Sequence, residues 1–174
     1  GIMVALNAGV DTIEHASLVD DEGIRMAVQR PRPVWFSMDI YNTDYTQSEG
    51  KKNGVLEDNL RKDREVADAQ REGFRKAHKA GVKMVYGTDA GVHPNGENGK
   101  QFRWMVKYGM TPVQAIQSAT VTSAEALGRK DIGVIEAGRF ADIIAVKGDP
   151  TLDVSLLENI DFVMKGGEVY KGGN

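Results

Sequence analysis

The chain has 174 residues, enough for one ordinary domain or for part of a larger one. Hydrophobic residues make up 41% and charged ones 27%, and the net charge of −3 comes from interleaved signs, so the basic footprint of a nucleic-acid or anionic-membrane partner is missing. The absence of cysteine excludes disulfides and thiolate metal sites and leaves the compartment undecided, and no apolar run approaches the ~20 residues of a membrane span.

The chain opens on helix-like material (Ile2, Met3, Ala5, Leu6) with no cap, signal peptide or initiator Met, which reads as a fragment beginning inside an element. Gly9 closes that helix as a C′ glycine. A short strand runs from Val10 to Glu14 and ends on His15. Asp20, Asp21 and Glu22 start a helix that runs to about Arg30, where acids meet free N–H groups and the positive dipole end. Pro31 and Pro33 stop it, and Val34-Trp35-Phe36 reads as a second buried strand. Met38 to Gly54 reads as a polar loop carrying Tyr41 and Tyr45, functional or a mere connector.

Leu56 to Ala80 is the clearest helix, with Leu60, Ala67 and Phe74 on one face. Glu57/Arg61, Asp58/Lys62 and Glu72/Lys76 stand at i,i+4 spacing, the signature of a solvated face. His78 lies in that charged run and reads as solvated. After Gly81, the run Val82, Met84, Val85, Tyr86 reads as a third buried strand, with Asp89 just past its end and a glycine- and proline-rich loop to Gly96. An acid in that place suits catalysis, but on spacing alone it is more often a helix cap or a turn. Helices are then expected over Lys100–Tyr108, over Val113–Ala119 behind a Thr111 cap and Pro112, and from about Ser123 to Leu127. Trp35 and Trp104 read as core residues. The tail changes character: Ala141–Val146, Ile160–Met164 and Glu168–Tyr170 read as strands, the last two joined by Lys165-Gly166-Gly167.

A weak repeat joins distant parts. Ala8-Gly9-Val10 through Glu14-His15-Ala16 parallels Ala80-Gly81-Val82 through Thr88-Asp89-Ala90: helix, glycine, buried strand, then a polar ligand-type residue. Alternating helix and strand implies a parallel sheet with right-handed crossovers. His15 and Asp89 are therefore expected on one rim, at the strands' C-terminal ends, where α/β folds bind ligands.

The segments IEHA, GTDAG, TPVQAIQSAT–SAEALG and GVIEAGRFADIIAVKGDP occur in one order. Together they resemble the C-terminal part of the amidohydrolase superfamily, close to its imidazolonepropionase-like and prolidase-like members, over Gly1 to about Tyr170. The resemblance implies strands six to eight of a (β/α)₈ TIM barrel over residues 1–130. Residues 131–174 would hold the C-terminal strands of a small composite β-sandwich. It implies His15 and Asp89 as ligands of a divalent metal, zinc, with one or two ions in the complete protein, and Asp89 as the catalytic proton carrier. The implied substrate is a small molecule or dipeptide whose amide (C–N) bond is hydrolysed by activated water.

The family's His-x-His pair, its bridging lysine or acid and its fifth-strand histidine would all lie upstream. Two ligands alone fall short of the three or four of a zinc site. Where relatives carry a histidine before the glycine closing the Asp89 loop, this chain has Asn95, with His93 nearby as a substrate-binding candidate. Tyr41 is the nearest candidate for the substrate-contacting tyrosine of dipeptidase-like relatives. The alternative is a non-catalytic fragment or interaction module, inactive without the N-terminal barrel half. Open strand edges would then invite a complementing chain or a homo-oligomer. A phosphate-handling enzyme using Asp89 with Mg²⁺ has no Walker-type sequence behind it.

Overall fold

The computed structural model describes residues 1–173. Three strands alternate with helices. Helix α1 (Ile2–Ala8) ends on Gly9, and strand β1 (Thr12–Glu14) follows. Helix α2 (Asp21–Gln29) is capped by Asp20, whose carboxylate accepts from the Gly23 N–H at 2.8 Å, and it leads to β2 (Trp35–Ser37). Helix α4 (Glu57–Ala80), the second helix after β2, ends at Gly81 with φ 87°, a left-handed conformation that favours glycine, and β3 (Lys83–Val85) comes next.

The strands pair in parallel in the order β1-β2-β3, with Ile13, Phe36 and Met84 in one register row. Side chains alternate across a sheet, so these three share a face. That face is the core: Phe36 and the α4 residue Phe74 are fully buried, with Leu6, Ile24 and Met84 around them. Burying each such ring is worth roughly 1.5–3 kcal/mol. The neighbouring row holds Thr12, Trp35 and Lys83, and there Trp35 is buried with the Lys83 ammonium 5.6 Å from its ring centroid.

The expected loop from Met38 to Gly54 is a correction. Helix α3 (Ile40–Tyr45) and a π-helical turn (Thr46–Gly50) occupy most of it. Met38, Ile40, Tyr41 and Tyr45 are buried, and two of the polar residues among them find partners on α4: Thr43 donates to Gln70 at 2.6 Å, and Arg71 donates to Asp44 at 2.9 Å. Tertiary packing satisfies groups that local sequence reads as solvent-facing. The surface pairs of α4 differ too. Glu57 meets Arg64, Glu72 meets Arg75, and Lys76 reaches Asp21 on α2 instead of the i,i+4 partners.

Beyond β3 come α5 (Lys100–Lys107), α6 (Pro112–Ala119) and α7 (Val121–Ala126), the last starting earlier than its sequence suggests. A complete capping box joins Thr111 and Gln114. Trp104 is partly buried against the core, with the Lys107 ammonium 3.8 Å from its ring centroid. The tail forms a separate antiparallel sheet, β4-β5-β6 (Ile143–Ala145, Phe162–Lys165, Glu168–Lys171). A 3₁₀ turn (Val154–Glu158) anchors it: Val154 and Leu157 enter the core, and Arg103 of α5 donates to Glu158 at 2.8 Å.

Candidate active site

All three parallel strands point their C-terminal ends at one rim, and each is followed by a potential ligand. His15 extends the ladder one residue beyond β1, its N–H donating to the Ser37 carbonyl at 2.7 Å. Asp39 stands two residues past β2, and Asp89 four past β3. One ligand atom from each of His15, Asp39 and Asp89 lies within 4.8 Å of the others. The two rim residues that the sequence repeat pairs are thus neighbours in space. The third, Asp39, escapes sequence reading because it opens a stretch read as loop; asking the middle strand for the ligand its neighbours carry would have found it.

Backbone conformation marks the same place. Among the described residues, His15 (φ 63°), Ala16 (φ 46°) and Asp89 (φ 47°) are the non-glycine residues with positive φ. Each such conformation costs on the order of 1–3 kcal/mol and persists where surrounding structure imposes it. Gly87, two residues before Asp89, runs so close to β2 that a Cβ there would collide with Ser37 Oγ.

The polar contacts assign jobs. His15 Nδ1 lies 2.9 Å from Asp39 Oδ1, while Asp39 Oδ2 accepts from Asn42 Nδ2 at 2.8 Å. The Asp39 bond is the chief reason the His15 imidazole titrates above its ordinary value, with partial burial opposing and the Asp39, Asp89 and Glu14 charges adding to the rise. Asp39 is buried, whereas His15 and Asp89 are exposed. With Nδ1 taken, Nε2 is the His15 nitrogen open to a ligand. A carboxylate behind a histidine in this way fixes its tautomer and raises its basicity toward a metal. Proximity makes Asp39 a third potential ligand, but both of its oxygens are already engaged, so we read it as the residue that orients His15. A histidine nitrogen and a carboxylate oxygen on a shared rim suit a borderline divalent ion such as zinc.

Tyr41 and His93, read from the sequence as substrate-binding candidates, pack against each other. Their rings meet at 4.9 Å, and both are buried. Tyr41 donates its hydroxyl to Glu97 at 3.0 Å; burial first, then that bond, pushes its pKa well above the usual range. His93 Nδ1 and Nε2 face the carbonyls of Pro94 at 3.0 Å and Thr88 at 3.2 Å. Glu97 is held below the usual carboxylate range, first by Lys100 and then by Tyr41. A groove of about 530 Å³ lies elsewhere, between α2 and α4, lined by Ile24, Val28, Lys76 and Lys79.

Comparison with known proteins supplies the lineage. The sequence profile of the Amidohydrolase family matches residues 1–172. This chain belongs to the amidohydrolase family. Ochratoxinase of Aspergillus niger is 29% identical over 178 aligned residues, which cover 99% of this chain and 36% of that protein. Imidazolonepropionase of Shouchella clausii is 40% identical over 68 residues, 37% of this chain and 15% of that protein. Among solved structures, a Xaa-Pro dipeptidase with methionine bound in its active site superposes with a TM-score of 0.89 at 39% identity, over 98% of this chain and 42% of that one. The chain thus spans about two-fifths of the length of the ochratoxinase and of the dipeptidase chain.

Proposed function

We propose that the chain is the C-terminal part of a metal-dependent amidohydrolase that cleaves amide C–N bonds, with dipeptides as the substrate class. In this reading β1, β2 and β3 are the sixth, seventh and eighth strands of a (β/α)₈ barrel, and β4 to β6 belong to a small β-sandwich. The carrying observation is the convergence of His15, Asp39 and Asp89 on one strand-end rim, two of them in strained backbone. The dipeptide reading draws on the Xaa-Pro dipeptidase likeness.

His15 through Nε2 and Asp89 through a carboxylate oxygen would hold a divalent ion, zinc by the donor set, with further ligands from outside this chain. Such an ion lowers the pKa of water toward neutrality and polarises a carbonyl. Asp39 keeps His15 in the tautomer that presents Nε2 outward. The Asp89 carboxylate takes a proton from water as it attacks the amide carbon, then returns it to the leaving nitrogen as the C–N bond breaks. Tyr41 and His93 serve as a wall supporting the Asp89 loop, since their polar atoms are spent on the protein itself.

The test is hydrolysis of Xaa-Pro dipeptides by the complete protein, with metal content measured in parallel. Asp89→Asn is expected to lower kcat/KM by roughly 10²–10⁴-fold. His15→Ala is expected to lower metal stoichiometry as well as turnover. Wild-type rates in both variants would sink the reading.

A second reading, that this length alone is an inactive complementing piece, is favoured by one observation. β1 and β3 are both edges of their sheet among the described residues. Open edges of this kind recruit other chains. Expression of the 174-residue chain in zinc-supplemented medium tests this second reading. Metal-free dimers or larger species support the second reading, whereas a monomer with stoichiometric, tightly held metal opposes it.

A further inference from the structure

Asp39 stands at the N-cap of α3, where an aspartate ordinarily accepts from the second or third helical N–H. Here its side chain makes no capping bond, because His15 and Asn42 take both oxygens. The second helical donor, the Tyr41 N–H, is bonded instead to Gln101 Oε1 at 2.9 Å. Gln101 sits on α5, 60 positions further along the chain, and is completely buried. Its Nε2 donates to the carbonyl of Met38, the residue before Asp39, at 3.0 Å and also to the carbonyl of Gly87, two residues before Asp89. Only this orientation of the amide pairs both N–H groups with carbonyls and its oxygen with an N–H. A buried amide is costly unless bonded, and a methionine would fill the same volume without that liability. What the amide adds is a tie between the ends of β2 and β3 and a cap supplied from another helix.

We infer that Gln101 is a positioning residue of this site. By capping α3 in place of Asp39 and tying Met38 to Gly87, it frees the Asp39 carboxylate to hold His15 Nδ1 and sets the spacing of the strand ends that carry Asp39 and Asp89. The inference rests on the proposed metal site for the ligand role of His15. The His15–Asp39 contact itself can be followed with no metal present.

The experiment uses the complete protein, labelled with ¹⁵N at histidine and stripped of metal, at a pH above the end of the His15 titration followed in the same spectra. Wild-type His15 is expected to show one tautomer, with the proton on Nδ1. Gln101→Met removes all three bonds at similar volume. In that variant Asp39 turns to the Tyr41 N–H, His15 becomes a tautomer mixture, and the Kd for Co²⁺ rises roughly 10–100-fold. Gln101→Glu keeps an acceptor for the Tyr41 N–H but loses the donor to Met38 and Gly87, so it is expected to keep the His15 signature while its Co²⁺ Kd rises because the tie between the strand ends is gone. A folded Gln101→Met protein with wild-type His15 signals and Co²⁺ affinity overturns the inference and leaves Gln101 a purely structural residue. If Gln101→Met fails to fold, a Gln101→Glu protein with wild-type Co²⁺ affinity overturns it, since the tie would then set nothing at the site. A wild-type protein that binds Co²⁺ no better than His15→Ala defeats the metal reading instead, and the tautomer result stands apart from it.

Discussion

The rim of the parallel sheet and the antiparallel tail are built from bonds of different reach. At the rim the decisive contacts join residues far apart in sequence: Gln101 to Met38 over 63 positions, Tyr41 to Glu97 over 56, and His15 to Asp39 over 24. In the tail many polar contacts are local, such as Arg129 with Asp131, Arg139 with Glu136, Asp149 with Thr151 and Asp153 with Ser155. The burial differs in the same sense: every residue of β6 is exposed, whereas Ile13, Phe36 and Met84 at the centres of β1, β2 and β3 are buried. Long-range bonds to buried partners fix how the strand ends sit, close to the strained His15 and Asp89. Local bonds on an exposed surface only shape turns.

That contrast can be broken at its strongest point. Phe74, fully buried where α4 meets the parallel sheet, is expected to cost about 3–5 kcal/mol as Phe74→Ala, read from urea unfolding. A loss below 1 kcal/mol would mean the core of the first region is no tighter than the tail.

A subtler test concerns pH. His15 is held above its ordinary value of 6.5, chiefly by Asp39. A raised folded-state pKa stabilises the protein fully below the unfolded value, and the gain fades as pH rises through the folded one. The metal-free protein should therefore lose stability from about pH 6 upward until His15 is neutral, and Asp39→Asn should flatten that slope. Denaturant midpoints across this range check it; equal slopes in both proteins would remove Asp39 as the cause. Since more than half of the His15 side chain is exposed, solvent screening keeps the effect small.

The smallest effect belongs to the tail. Tyr170, 65% exposed on β6, is expected to change stability by no more than about 0.5 kcal/mol as Tyr170→Ala. A loss of several kcal/mol by the same unfolding assay would show that this sheet is covered by another part of the protein.

Much of this molecule is legible in its residues. The capping acids at Asp20, the Thr111 box and the glycines that end α1 and α4 announce their elements, because caps act on neighbours within three or four positions. The αβ repeat carried further and paired His15 with Asp89, since parallel strands share one direction. Sequence alone missed that residues 38–54 fold into α3 and a π turn, that Asp39 stands behind His15, and that Gln101 binds both strand ends. Those outcomes depend on which buried donor meets which acceptor after distant segments pack, and no local spacing encodes it. The residue types at the rim were determined by the sequence; which of them meet, His15 with Asp39 and Gln101 with Met38 and Gly87, was decided by tertiary contact.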